Sequence, residues 1–291
     1  MSYETFAHSI DGHTRLLGVI GDPIHHSLSP AMHNLAYAEL GLNYRYLPFH
    51  VRPQDLADAV HGLRAIGAIG FNATIPHKEK LLPLMDEVDP MAQMIGAVNT
   101  VRIGADGRMQ GYNTDVYGFK TALRDSFFLP LESLSIVVLG AGGAARGVLM
   151  GLLQLGAKHI FLVNRTFSRA EGLAEQCTLL FPDAVITPLE WNPETLPLAQ
   201  CELLINTTSL GLKDGDALPL DLSCMPAQGF VYDIIYSPVV TPLMAAASLQ
   251  GLSTENGLGM LIHQGARAFE IWTGVKMPVT KVKAKLLSIL S

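Results

Sequence analysis

The stretch Ser135 to Thr166, SIVVLGAGGAARGVLMGLLQLGAKHIFLVNRT, constrains this chain more than any other. A β-branched run ends on Gly140, and Gly140, Gly142 and Ala145 follow the spacing GxGxxG/A. A helical apolar pattern comes next, and a second apolar run closes the segment. Strand, glycine turn, helix and returning strand form one βαβ unit, which requires a parallel sheet with a helix on its face. Each small residue has a physical task. Gly140 permits the tight turn, Gly142 lets backbone N–H groups approach a pyrophosphate, and Ala145 lets the helix lie close to the strand. The helix N-terminus offers its partial positive charge to the phosphates. A glycine turn kept for steric reasons alone would carry the same letters.

The end of the returning strand reads Asn164-Arg165-Thr166, where an NAD-binding chain would place a carboxylate for the ribose 2′-hydroxyl. No carboxylate stands there. Arg165 and Arg169 instead offer paired donors suited to a 2′-phosphate, so the expected cofactor is NADP(H). The alternative is that both arginines are solvated surface residues.

Composition removes other classes of function. Apolar residues make up 49% of the 291, ample for a globular core, yet no apolar run approaches the roughly 20 residues that span a bilayer. No membrane partner is expected. The opening MSYETFAHSIDGHTR reads as a short mobile lead-in without a basic-then-apolar export pattern. Net charge is −6 with scattered basic residues, which argues against nucleic acid as the partner and for a small molecule. Cys177, Cys201 and Cys224 form no CxxC pair and the histidines no HExxH spacing, so neither disulfides nor a metal is expected, and a cytoplasmic setting fits.

Before the glycine turn the chain repeats a strand–helix cycle. LLGVIGD, YRYLPFHV and GFNATIP read as strands; SPAMHNLAYAEL, PQDLADAVHGLRAIG and HKEKLLPLMDEVD read as helices. GAVNTVRIG and GRMQGYNT flank Asp106-Gly107 as a hairpin, and VYGFKTALRDSF is helical, with a domain boundary near Val116. After the βαβ unit, strands are expected at AVITPL, ELLINTTS and GFVYDIIY, and helices at MLIHQGARAFEIWTG and VTKVKAKLLSIL. The expected architecture is α/β: an N-terminal α/β substrate domain and a Rossmann-type dinucleotide-binding domain with a cleft between them.

The N-terminal half carries small polar residues beside apolar runs: Ser27, Ser29, Asn72, Thr74, Asn99 and Asp115. Ser27 and Ser29, and likewise Asn72 and Thr74, are two apart, so in extended backbone each pair projects to one side. Uncharged donors and acceptors near strand ends suit a ligand with several hydroxyls. Local roles compete with this reading. Ser29 is a possible helix N-cap, Asn72 and Thr74 possible caps of the next helix, and Asn99 a possible turn residue.

Taken together, HSLSPAMHN, GFNATIPHKE, GAVNT, GYNTD, GAGGAAR, NRT with Arg169, NTTSLG, DIIYSPVVTPL, NGLGML and QGARAFEIWTG resemble the shikimate dehydrogenase family from about Leu16 to Pro278. The resemblance implies that Lys78 and Asp115 are the catalytic pair and that Ser27, Ser29, Asn72, Thr74, Asn99, Asp115, Tyr236 and Gln264 bind shikimate. It places the cofactor on Gly140, Ala141, Gly142, Gly143 and Ala144. Asn164, Arg165, Thr166 and Arg169 fall around the adenosine phosphate, and Ile234, Gly257 and Met260 near the nicotinamide. Gln264 further implies a discontinuous substrate domain, 1–116 with 258–291, around a cofactor domain, 117–257. A homodimer is compatible with the family. The sequence departs from many relatives at His77, which stands where they carry an aromatic residue; His25 and His26 read as solvated, with a place at the pocket mouth as the alternative. A surface Lys–Asp ion pair, a quinate/shikimate or aminoshikimate dehydrogenase, and a non-catalytic NADP-binding sensor remain the competing readings.

Overall fold

The computed structural model describes residues 10–212 and 220–290; most of the expected lead-in therefore lies outside the described residues. The chain divides into two compact units, one of residues up to Thr114 together with Ile262–Ile289, the other Asp115–Leu261.

The first unit is built on a six-stranded sheet of order β2-β1-β3-β5-β6-β4. Strands β1 (Arg15–Gly21), β2 (Tyr44–His50) and β3 (Gly70–Ala73) run parallel, with β1 between the other two. β1 is fully buried from Leu17 to Gly21, as a central parallel strand covered on both faces should be. Pro48 falls on β2, at the edge, where a missing N–H costs least. β5 (Thr100–Ile103) is antiparallel to β3 and forms a hairpin with β6 (Met109–Tyr112), and Gly107 in its turn takes φ +79°. The loops after β1, β2, β3 and β6 and the chain entering β5 therefore meet at one end of the sheet. Helices Ser29–Glu39 and Leu56–Ala65 return the chain between the parallel strands. Ile20, Phe71, Leu81, Val98 and Val101 are wholly buried in the core.

One expected element is corrected. HKEKLLPLMDEVD is no α-helix. It forms turns, a single 3₁₀ turn at Leu82–Leu84, and the short β4 (Glu87–Val88). Pro76 precedes the segment and Pro83 interrupts it, and a mid-segment proline removes a helix donor and disfavours the α region for the residue before it.

The second unit holds a fully parallel six-stranded sheet of order β12-β11-β10-β7-β8-β9. β7 (Ser135–Leu139) leads through the helix Gly143–Gln154 to β8 (His159–Asn164), then through Phe167–Leu180 to β9 (Val185–Glu190). The chain then crosses back to β10 (Leu203–Asn206), β11 (Phe230–Asp233) and β12 (Ser253–Asn256) on the other side of β7. β12 was not legible, because STEN is a polar edge strand with no apolar alternation. Alternate β7 side chains enter opposite cores: Ile136 and Val138 join one cluster, Val137 and Leu139 the other. All four are fully buried, and burying such a side chain stabilises by roughly 1.5–3 kcal/mol.

Candidate active site

Reversal of strand order creates a crevice at the carboxyl ends of the strands, where open α/β sheets bind ligands. Each unit has such a point. In the first it lies between β1 and β3, and the loops that leave there carry Ser27, Ser29, Thr74 and Lys78. In the second it lies between β7 and β10, where the glycine turn and Asn206-Thr207-Thr208 emerge.

In the first unit, Asn72 of β3 is buried and at the centre of a hydrogen-bonded web. Its Nδ2 donates to the Asn99 carbonyl at 3.0 Å and to Thr100 Oγ1 at 2.9 Å, and its Oδ1 accepts from the hydroxyl of Tyr46 at 2.6 Å. Asn99 Oδ1 accepts from the Thr114 backbone N–H at 2.8 Å and from Thr100 Oγ1 at 2.9 Å, while its Nδ2 donates to Thr114 Oγ1 at 3.0 Å. Thr114 Oγ1 reaches Gln264 Oε1 at 3.4 Å. The web thus joins Asn72, Asn99 and Gln264 through Tyr46, Thr100 and Thr114, three residues the sequence reading missed. Thr100 and Thr114 sit inside the quoted GAVNT and GYNTD segments, so they were findable. Tyr46 was not, since a tyrosine on an edge strand advertises nothing.

The local alternatives resolve differently. Ser29 is no N-cap: Leu28 holds that position without a side-chain bond, and Ser29 is the first helical residue, followed by Pro30. Nor are Ser27 and Ser29 an extended pair. Leu28 has φ −83° and ψ −6°, and the Ser29 N–H donates to Ser27 Oγ at 3.3 Å, a compact turn. Asn72 and Thr74 cap no helix, because none follows. Thr74 lies just past β3, half-buried, its N–H donating to the Ile20 carbonyl at 3.0 Å. Lys78 is half-buried, and its carbonyl accepts from the Val98 N–H at 2.8 Å. His25 and His26 are exposed, whereas His77 is fully buried.

In the second unit Gly140 has φ +106°, and a Cβ there would lie 2.5 Å from Thr207 Oγ1, so the turn requires glycine. Thr207 in turn donates to the Leu139 carbonyl at 2.6 Å, tying the loop after β10 to the glycine turn. Gly142 is the exposed N-cap of the helix Gly143–Gln154, with no side chain closing it and nothing within 4 Å of a built Cβ. The helix therefore leaves first-turn N–H groups without a side-chain cap. Ala141 and Ala145 are buried, and Gly143 and Ala144 half-buried. Gly147 and Gly151 let the helix lie against Asp115–Ser126: a Cβ on either would come 2.9 Å from Asp115 Cβ or 2.7 Å from Phe119. Their four-residue spacing was a signal left unread. Asp115 opens its helix and is buried, a placement the N-terminal dipole favours.

Asn164 Nδ2 donates to the Thr166 carbonyl at 2.9 Å and shapes the turn that leaves Arg165, Thr166 and Arg169 exposed. Beyond β11, a Cβ on Gly257 would lie 1.8 Å from the Ile234 carbonyl oxygen, so these two residues are packed together and position 257 admits only glycine. Ile234 and Tyr236 are half-buried and Met260 is buried. The loop they share hangs on Asp233, wholly buried, whose carboxylate accepts from Thr241 Oγ1 at 2.7 Å, Asn206 Nδ2 at 3.0 Å and the Ile235 N–H at 3.1 Å. Burial pushes its pKa up, and the three donors oppose that. No described helix is long and apolar enough to cross a membrane.

Comparison with known proteins decides the family. Residues 19–101 match the family described as shikimate dehydrogenase substrate binding domain, residues 123–209 that described as shikimate / quinate 5-dehydrogenase, and residues 257–287 the shikimate 5'-dehydrogenase C-terminal domain. A shikimate dehydrogenase (NADP(+)) of Magnetococcus marinus is 50% identical over 279 residues, 96% of this chain and 97% of that protein. The chain belongs to the shikimate dehydrogenase family. A shikimate dehydrogenase solved in complex with NADP+ has a TM-score of 0.89 and 38% identity, over 97% of this chain and 98% of its own. The chain is also similar to a quinate dehydrogenase of Corynebacterium glutamicum solved in complex with NAD, at TM-score 0.86 and 31% identity over 94% of this chain and 99% of its own.

Proposed function

We propose that the chain is an NADP-dependent oxidoreductase that interconverts 3-dehydroshikimate and shikimate, a step of aromatic amino-acid biosynthesis. The observation that carries the reading is full-length similarity at 50% identity to a protein named for that activity, together with an intact Lys78, Asp115 and glycine turn. The cytoplasmic setting rests on three thiols with no disulfide among them, Cys177, Cys201 and Cys224.

The cofactor fits the second unit. The uncapped helix start at Gly142–Ala144 and the turn at Gly140–Ala141 would hold the pyrophosphate, while Asn164, Arg165, Thr166 and Arg169 would take the 2′-phosphate end and Ile234, Gly257 and Met260 the nicotinamide. Bound NADPH supplies the hydride. The remaining work falls to side chains. Lys78 donates a hydrogen bond to the ketone oxygen, stabilises the negative charge that grows on it and delivers the proton. Asp115 orients the lysine ammonium and accepts from a substrate hydroxyl. Ser27, Ser29, Thr74, Asn99, Tyr236 and Gln264 bind the ring hydroxyls and carboxylate, and Asn72 holds Asn99 in place.

Lys78→Met tests the assignment. Turnover is expected to fall by about 10²-fold or more with NADPH affinity retained, the range for loss of a general acid; near-normal turnover contradicts it. The second reading, a quinate-tolerant dehydrogenase, draws on the likeness to the quinate enzyme, but that likeness is weaker in sequence, 31% against 50%.

A further inference from the structure

We propose that His77 is a positioning residue for Lys78: its imidazole ties the loop that carries the lysine to the loop after β2. The inference rests on Lys78 being the proton donor.

The segment from Thr74 to Leu81 has little to hold it. It is not a helix, and its backbone shows two local bonds, His77 N–H to the Thr74 carbonyl at 2.9 Å and Leu81 N–H to the His77 carbonyl at 3.1 Å. The lysine side chain is long and flexible, so the backbone beneath it decides where the ammonium can reach. Two contacts flank that point. The Lys78 carbonyl accepts from the Val98 N–H at 2.8 Å, and one residue earlier His77 Nε2 meets the Val51 carbonyl at 2.7 Å. A carbonyl only accepts, so Nε2 carries the proton. Val51 is itself fixed, its N–H donating to the Gly21 carbonyl at 3.1 Å, and the Asp22 N–H donates to the Ile75 carbonyl at 3.0 Å. The three loops at the carboxyl ends of β1, β2 and β3 are thereby stitched together, and His77 supplies the side-chain stitch.

The imidazole is fully buried and its Nδ1 meets no partner, an arrangement that serves a neutral ring acting as a single donor. Burial lowers its pKa and outweighs the bond to the Val51 carbonyl and the charge of Asp22, which pull the other way, while Lys80 adds to the lowering. The ring therefore stays neutral and keeps its proton on Nε2. Nothing here needs the histidine to touch the substrate.

The test compares His77→Phe and His77→Met, which lack the donor, with His77→Gln, whose amide N–H restores one, beside Lys78→Met. For each, kcat and KM for shikimate oxidation and the dissociation constant for NADP+ are measured. Because sub-ångström misplacement of a reacting group is costly, the donor-free variants are expected to lose at least about tenfold in kcat, with NADP+ affinity within about twofold of wild type. His77→Gln is expected to recover most of the loss. Methionine keeps the comparison intact if phenylalanine fails to fold. Wild-type kcat in the donor-free variants, or a Gln variant as impaired as Phe, overturns the positioning role while leaving Lys78 untouched. Turnover by Lys78→Met would remove the premise, and the role of His77 with it.

Discussion

Asn72 shows how a residue quoted for ligand binding is already occupied. Both its amide hydrogens are given to Asn99 and Thr100, and Tyr46 takes one of its two oxygen lone pairs, so toward a ligand it has a single acceptor site left. Its larger contribution is to hold Asn99. Asn72→Ala strands the buried Tyr46 hydroxyl, while Thr100 Oγ1 keeps its bonds to Asn99 and Thr114, and urea denaturation should show a loss of about 1–3 kcal/mol. Tyr46→Phe removes one partner and should cost about 1 kcal/mol. Because the two share a bond, the double variant should be less destabilised than the sum of the singles; strict additivity would mean that the bond contributes nothing. At the other unit, Arg165→Ala with Arg169→Ala should raise KM for NADP+ by about 10- to 100-fold, the worth of lost charge-assisted bonds, and leave NAD+ kinetics nearly unchanged. An equal effect on both cofactors would contradict the 2′-phosphate assignment.

At the level of elements, the glycine turn separates two demands that the sequence motif fuses. Gly140 answers to the protein: it has a left-handed φ of +106° and no room for a Cβ beside Thr207. Gly142 has open space around it, so its requirement comes from whatever approaches the helix end. Gly140→Ala should lower stability by about 1–3 kcal/mol and weaken NADPH binding, whereas Gly142→Ala should weaken NADPH binding with stability kept. Thermal unfolding and fluorescence titration of the two variants check this; a destabilised Gly142→Ala would refute the distinction. The same turn was readable in advance because its meaning is local, a strand, three small residues and a helix. The segment after His77 was misread as a helix for the opposite reason. Its apolar and charged letters alternate plausibly, but Pro83 breaks the ladder, and the chain is held by bonds from β6 and from Val51 that no local pattern reveals.

For the whole molecule, the α/β class and the parallel second sheet followed from periodicity, since fully buried parallel strands read as continuous apolar runs. What escaped was the polar wiring: the Tyr46–Asn72–Asn99–Thr114 web is made of bonds between residues 26, 27 and 15 positions apart, and Asp233 with Thr241 and Asn206 was passed over as an ordinary strand end. Acid stability carries a related signature. His33 lies wholly inside an aromatic box, stacked 4.3 Å from Tyr46 with Trp272 and Phe269 around it, and burial pulls its pKa down to about 3. Below its unfolded value of 6.5 the unfolded chain binds a proton that the folded chain refuses. Stability is therefore full above pH 6.5 and falls as pH drops toward 3, by on the order of 4 kcal/mol from this group. His33→Phe should flatten that acid limb; an unchanged limb would show that His33 does not set it. The account as a whole stands on the reaction. Initial rates with shikimate and with quinate, each against NADP+ and NAD+, should show shikimate with NADP+ preferred over the other three pairs, and preferred turnover of quinate, or of NAD+, would contradict it.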